Sequence, residues 1–358
     1  MLRLIDANLD RLGEGLRVLE DVARFLLDDA ELCQQLKTMR HRLVENIHPL
    51  EQQLIAARRV GEDVGAFKRL PGEAKHKDLP ALVIANARRV QESLRVLEEF
   101  ARLSDTPLVI KPAECEHLRF EVYELEQKLL SKLLRQGKLS RLTGLYLVLD
   151  TQALGGRHEV EVATQAIRGG AKVIQLRDKQ YSKAKLLEVA QKLKKVCLEK
   201  EVLFIINDHL DIALASGADG LHLGQKDLPL SEARRLLPMD KLVGCSTTTL
   251  SQAVRAQSGG ADYIAVGSIY PTLSKENFKL VGLDTLRRIK GKVSLPLIAI
   301  GGIDQTNIEE VMKAGANGVA VISAVLGAED VEGATRKLAA TIEQFRSIGE
   351  SKDGESNL

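Results

Sequence analysis

Between residues 144 and 323 the sequence alternates short apolar runs with amphipathic stretches eight times, and each apolar run closes on polar residues or glycine. The runs are "GLYLVLD", "VIQLRD", "LFIIND", "GLHLG", "LVGCS", "YIAVGS", "LPLIAIGG" and "GVAVIS". Short continuous apolar runs read as strands buried on both faces. The segments between them, such as "SKAKLLEVAQKLKKVCLEK" and "TNIEEVMKAG", read as helices. A strand and then a helix, repeated through about 200 residues, predicts a parallel (β/α)8 barrel of the TIM type; a doubly wound open sheet is the weaker alternative.

The chain before residue 143 follows a different rule. It holds six of the 28 glycines (Gly13, Gly15, Gly61, Gly65, Gly72 and Gly137), which predicts mostly helix. Ile5, Leu9, Leu12, Leu16, Leu19 and Ala23 advance by steps of four and three, a stripe that packs against another helix. The stripe returns as Val83, Ala87, Val90, Leu94, Leu97 and Ala101, and "EGLRVLEDVARF" reappears as "ESLRVLEEFARL" in the same register. That is an internal duplication. Helical stretches from about Glu31 to Arg58 and through Leu118, Val122, Leu125 and Leu129 follow the two copies, so a bundle built from a duplicated helical hairpin is expected. The domain reading is therefore a helical bundle over 1–136, a linker over 137–142, an α/β barrel over 143–346 and a flexible polar tail over 347–358.

The duplicated charges, Glu14, Arg17, Glu20 and Arg24 against Glu92, Arg95, Glu98 and Arg102, lie three and four apart, and pairing along solvated helix faces accounts for them. A polar pocket between the hairpins, with the loop "RRVGEDVG" around Asp63, is the competing account. A net charge of +2, no Trp and 3% aromatic residues give nucleic acid little to hold or stack upon. Residues 1–27 carry no apolar secretory segment, and no later run approaches the ~18–20 apolar residues that a bilayer needs. Cys33, Cys115, Cys197 and Cys245 form no close pairs, as suits a reducing compartment. A cytoplasmic protein acting on small molecules, without nucleic acid or membrane, is expected; a homo-oligomer stands as an option.

In a barrel of this kind the active face lies at the carboxyl ends of the strands. Side-chain alternation sends Gln175, Arg177 and Lys179 to one side of the second strand and Ile174, Leu176 and Asp178 to the other. Arg and Lys together suit a multiply charged anion such as diphosphate, although an ion pair with a neighbouring carboxylate would also explain them. "NDH" and "HLGQKD" place Asp208 and Asp227 one unit apart on adjacent strand ends. Carboxylates beside phosphate-binding cations call for a divalent ion between them, and oxygen ligands favour Mg²⁺. His209 and His222 read mainly as hydrogen-bonding supports. The sixth run leads into "YPTLSKEN", with Lys275 a further cation, and "IGGI" and "VISA" put Gly301, Gly302, Ile322 and Ser323 where barrels bind a phosphate monoester. Two anion sites on one face suggest a joining reaction that expels diphosphate.

The motifs "QLRDK", "NDH", "HLGQKD", "GCS", "YPTLSK", "IGGI" and "VIS" resemble, in order and spacing, those of the thiamine phosphate synthase family over residues 143–346. The resemblance implies a Mg²⁺-dependent enzyme that joins hydroxymethylpyrimidine diphosphate to hydroxyethylthiazole phosphate, yielding thiamine phosphate and diphosphate. It implies that Gln175, Leu176, Arg177, Asp178, Lys179, Asn207, Ser246 and Lys275 hold the pyrimidine diphosphate, with Arg177, Lys179 and Lys275 catalytic. Asp208 and Asp227 would hold Mg²⁺; Thr272, Leu273, Ser274, Gly302, Ile322 and Ser323 would hold the thiazole phosphate. The amino-terminal region resembles a helical domain fused to some members, read either as a pyrimidine phosphate kinase or as a scaffold; it has no G-x-x-x-x-G-K-[ST] loop. Rival readings are a thiazole tautomerase, which has no use for a metal-diphosphate site, and a sensor of thiamine precursors.

Overall fold

The computed structural model describes residues 1–47, 50–59, 61, 76–108, 110–272 and 279–355, and divides into two compact units, Met1–Gln136 and Gly137–Leu358. In the first, α1 (Leu2–Asp21) runs into a π-helical turn, Val22–Leu26, and is followed by α2 (Ala30–Ile47), α3 (Glu51–Ala56), α4 (Leu79–Ala101) and α5 (Pro112–Leu139). The duplicated stripes become the contact between α1 and α4: Ile5, Leu12, Leu16, Leu19, Val83, Val90, Leu94 and Leu97 are all buried in one core with Leu36, Met39, Leu118 and Leu129. The two copies cross closely because Gly15 carries no side chain; a Cβ there would lie 2.6 Å from Cγ2 of Val90.

The repeated charges do more than decorate a solvated face. Glu20 and Glu98 are buried. Each is ion-paired locally and with an arginine of the next helix: Glu20 with Arg17 and Arg40, and Glu98 with Arg95, Arg102 and Arg119. Arg40 and Arg119 each lie on the helix that follows, so each hairpin is tied by a Glu–Arg ion pair, although Arg119 stands one residue off the register of the duplication. Asp63 lies outside the described residues.

The second unit is a closed barrel of eight parallel strands in sequence order: β1 (Gly144–Asp150), β2 (Val173–Arg177), β3 (Leu203–Asn207), β4 (Gly220–Leu223), β5 (Leu242–Thr247), β6 (Tyr263–Val266), β7 (Leu297–Ile300) and β8 (Gly318–Val321). Helices α6 (Glu159–Arg168), α7 (Lys183–Glu199), α8 (Leu210–Ser216), α9 (Leu230–Leu236), α10 (Leu250–Ser258), α11 (Gly282–Lys290), α12 (Ile308–Lys313), α13 (Ser323–Leu326) and α14 (Val331–Glu355) complete it. The stretch read as a linker is helical to Leu139 and then forms a 3₁₀ turn, Ser140–Leu142. The open-sheet alternative is excluded by the β1–β8 pairing, Gly144↔Gly318 to Leu147↔Val321.

Strand alternation creates two cores. Leu145, Leu147, Ile174, Leu176, Phe204, Ile206 and Leu221 pack outward beneath the helices. Tyr146, Val148, Val173, Leu203, Ile205, Tyr263 and Ile298 fill the interior. The interior is thus plugged by side chains below, and chemistry is confined to the mouth where β-strands end.

Candidate active site

Each strand contributes its terminal residues to this mouth. Arg177 closes β2, is buried, and donates through Nη1 to the buried Asp150 at the end of β1, which sits directly beside it in register. Asp150 also accepts from the backbone N–H of Gln152 at 3.0 Å, so the carboxylate that orients the guanidinium is itself fixed. Lys179 lies two residues beyond the strand and is exposed. Asn207 ends β3, partly exposed, paired in register with His222 of β4.

Asp208 follows with φ 62°, a left-handed conformation that few residues other than glycine, Asn and Asp adopt. Its N–H donates to the carbonyl of His222 at 2.8 Å, which turns the chain sharply at the strand end. Burial pushes its carboxyl up to about 6, and a hydrogen bond and the charge of Asp227 add to the shift, whereas Arg177 and Lys179 pull it down. The four groups therefore share one electrostatic neighbourhood. Asp227 is itself steadied by the Gly224 N–H, which donates to Oδ2 at 2.7 Å.

This pair of carboxylates could hold a divalent cation. Among the described residues there is no cluster of three or more His, Cys, Asp or Glu suited to a metal. A metal held by two carboxylates alone must complete its shell with water and ligand oxygens, the habit of Mg²⁺ rather than of Zn²⁺. Asp150 is already paired with Arg177, so the two carboxylates that face each other are Asp208 and Asp227, and such a pair suits a divalent ion.

The remaining positions fall differently. The Leu176 side chain belongs to the outer core, so only its backbone can face the mouth. Asp178 is occupied by the loop: it accepts from Thr151 Oγ1, and from the N–H groups of Gln180 at 3.0 Å and Tyr181 at 2.7 Å. The strand ends at Arg177, so Asp178 and Lys179 lie beyond the reach of strand alternation. Leu273, Ser274 and Lys275 lie outside the described residues. Beside the carboxylates opens a cavity of about 460 Å³ lined by Ser246, Thr272, Gly301, Gly302, Ile322 and Ser323, together with Gln225, Thr248, Gln252, Ser268 and Lys279. Gly302 has φ 64°, and a Cβ there would fall 2.3 Å from the Pro271 carbonyl, so the β7 loop needs glycine to pass the loop after β6.

His209 opens α8 and shares Nδ1 with Lys183 at 2.7 Å. His222 is buried and reaches Tyr263 and Ser246, a support for the site rather than a rim group. The sequence reading missed Asp150, Tyr146, Tyr263 and Lys279. Asp150 ends its apolar run as the other site residues end theirs, which was a usable signal; Lys279 had none beyond its charge.

A family model described as thiamine monophosphate synthase matches residues 145–325. The chain belongs to that family. A second model, the ThiD2 family, matches residues 3–128. The thiamine-phosphate synthase of Thermosynechococcus vestitus is 42% identical over 342 residues, covering 96% of this chain and 95% of its own. That of a Synechococcus strain is 43% identical over 346 residues, covering 95% and 96%. The solved thiamine phosphate pyrophosphorylase of Pyrococcus furiosus is 39% identical, with a TM-score of 0.54, and is matched over 57% of this chain and 97% of its own. This family member is thus an enzyme of thiamine biosynthesis, a transferase with a barrel fold, and among the described residues no helix is long and apolar enough to cross a membrane.

Proposed function

We propose that the barrel joins hydroxymethylpyrimidine diphosphate to hydroxyethylthiazole phosphate at this mouth, releasing diphosphate. The observation that carries the reading is the gathering at adjacent strand ends of Arg177, held by Asp150, of Asp208, turned by its left-handed backbone, and of Asp227, held by the Gly224 N–H, with Lys179 beside them. Asp208 and Asp227 would hold Mg²⁺, which when bound supplies positive charge to the diphosphate oxygens. Arg177, held by Asp150, retains donors of its planar fork for the same oxygens, and Lys179 adds a mobile charge. Lys275, from the segment outside the described residues, is assigned to this group by motif alone.

The carbon–oxygen bond breaks with its electron pair leaving on diphosphate, and the lone pair of the thiazole nitrogen forms the new carbon–nitrogen bond. That nitrogen carries no proton, so no general base is required of the chain. Charge stabilisation by the rim and alignment of the two rings are the main contributions. The thiazole phosphate is assigned to the cavity end formed by Thr272, Gly302, Ile322 and Ser323, with Leu273 and Ser274 by motif. There α13 begins, and the first N–H groups of a helix have no acceptor within it.

In the bundle, a cleft of about 570 Å³ is lined by Asn8, Arg11, Arg88, Arg89, Glu92 and Ser93. Among the described residues Arg11 and Arg88 have no ion-pair partner. Their exposed guanidinium groups could receive a phosphate-bearing ligand, as the kinase reading of this unit requires and the scaffold reading does not. Incubating the full chain with ATP and the pyrimidine monophosphate tests it: diphosphate formation supports a kinase, and its absence supports a scaffold.

For the barrel, both substrates with Mg²⁺ should yield thiamine phosphate, and Asp208→Ala should lower kcat about 10²-fold or more. A sensor would give no product in the wild type. Near-normal turnover of Asp208→Ala at saturating Mg²⁺ would remove that residue from the metal site.

A further inference from the structure

At the foot of the barrel, opposite the mouth, a cleft of about 670 Å³ lies against the amino ends of β1, β2 and β3. Its walls all belong to the barrel unit: the 3₁₀ turn that leads into β1, the turn from α6 into β2, the turn from α7 into β3, and α14 at Glu343 and Arg346. Close approaches shape it. Gly170 ends the α6 turn at φ 103°, where a Cβ would lie 3.2 Å from Cβ of Ala339, so α14 comes down against α6. Gly144, at φ 110°, leaves room for the stem of Lys172, whose Cγ would meet a Cβ there at 3.0 Å.

The charges around this cleft are uneven. Arg141, Arg168, Lys172, Lys200 and Arg346 line it against Glu201 and Glu343, and Glu343 is already paired with Arg346 at 3.5 Å. Arg141, Arg168, Lys172 and Lys200 are exposed, and among the described residues none of them is paired with a carboxylate. Glu201 turns the chain at φ 55°, and its carbonyl accepts from Arg141 Nη1 at 3.4 Å, which leaves Arg141 the other donors of its fork. Helix carbonyl ends favour the cations at Arg168, which closes α6, and at Lys200, which caps α7. They do not account for Lys172, which stands beyond the last turn of α6 and directly before β2. The floor between the charges is apolar, formed by Ile167, Ala171 and Val202.

We propose that this cleft is a second ligand site, separate from the mouth, that binds the diphosphate group of a small molecule without a metal ion. Gathering like charges around one concavity raises its potential, and an entering polyanion relieves it. Arginine forks and lysine point charges together match phosphate oxygens. The volume is that of a small-molecule site, and the apolar floor offers a surface to whatever body the phosphates carry. The cleft has no facing pair of carboxylates such as Asp208 and Asp227, so its cations meet the ligand directly. A nucleoside diphosphate and free diphosphate share the group recognised. Nothing here depends on the reaction assigned to the mouth.

Equilibrium dialysis of the full-length chain in EDTA, against ADP and against inorganic diphosphate, tests the site. Wild type should bind saturably. The double variant Arg168→Glu, Lys172→Glu should weaken that binding about tenfold or more, whereas Arg177→Ala at the mouth and Arg11→Glu in the bundle should leave it unchanged. Tighter binding of ADP than of diphosphate would assign the floor to an organic body, and equal binding would assign the site to free diphosphate. Both substituted side chains are exposed and lie far from the strand ends that form the mouth, so the double variant should keep wild-type turnover, which shows that it is folded. The neutral pair Arg168→Gln, Lys172→Gln should weaken binding in the same direction and by less. Absence of saturable binding in EDTA, or binding that survives both double substitutions, overturns the proposal.

Discussion

Asp208 carries two constraints, a left-handed backbone at φ 62° and a carboxyl pressed against Asp227. In the metal-free protein its folded value of about 6 lies above the ordinary 3.8, so between these values the folded state binds more protons than the unfolded chain. The stability this group contributes is whole below about pH 4 and is lost as pH rises through about 6. Asparagine tolerates the same backbone and carries no charge. The metal-free Asp208→Asn protein should therefore melt a few degrees above wild type near pH 7.5 and match it near pH 4, by calorimetry. A constant difference across that range would mean that the two carboxylates do not face each other. Mg²⁺ should raise the melting temperature of wild type more than that of the variant, because only a full carboxylate pair rewards the ion.

The hairpins and strands carry their own tests. In the bundle, burial pushes Glu98 up, but the bonds from Arg102, Arg95 and Arg119 outweigh it and hold the carboxyl below its ordinary 4.5. The stability from this group is present above about pH 4.5 and is lost as pH falls through the depressed folded value. Glu98→Gln should lower the melting temperature at neutral pH, and the gap should narrow on acidification. In the barrel, β5 and β6 pair Gly244 with Tyr263. Gly244→Ala would force the ring aside, at a cost of about 1–3 kcal/mol, and should depress both the barrel's unfolding midpoint and its turnover; an unchanged midpoint would show that the ring has room. What could be read from sequence follows from the same elements. The eight strands were legible because parallel strands buried on both faces leave continuous apolar runs, and the α1–α4 contact because its stripe occurs twice. The hydrogen-bonded chain of Gln175, Tyr146, Tyr263, His222 and Ser246 was not, since its members come from five separate strands and meet only when the sheet closes in register. Asp178 shows the converse limit: alternation describes a strand, and its carboxylate caps the turn after one.

The whole chain pairs a duplicated helical unit with a barrel, and its relatives are matched along nearly their full length, so both units belong to one enzyme architecture. Two carboxylates set against each other beside Arg177 and Lys179 suit a site that takes its phosphate with a divalent ion. This is the central claim, and a crystal structure of the full chain with Mg²⁺ and the pyrimidine diphosphate tests it most directly. The ion should lie between Asp208 and Asp227 with the diphosphate oxygens against Arg177 and Lys179. Diphosphate bound elsewhere, or the ion found away from that carboxylate pair, would contradict it.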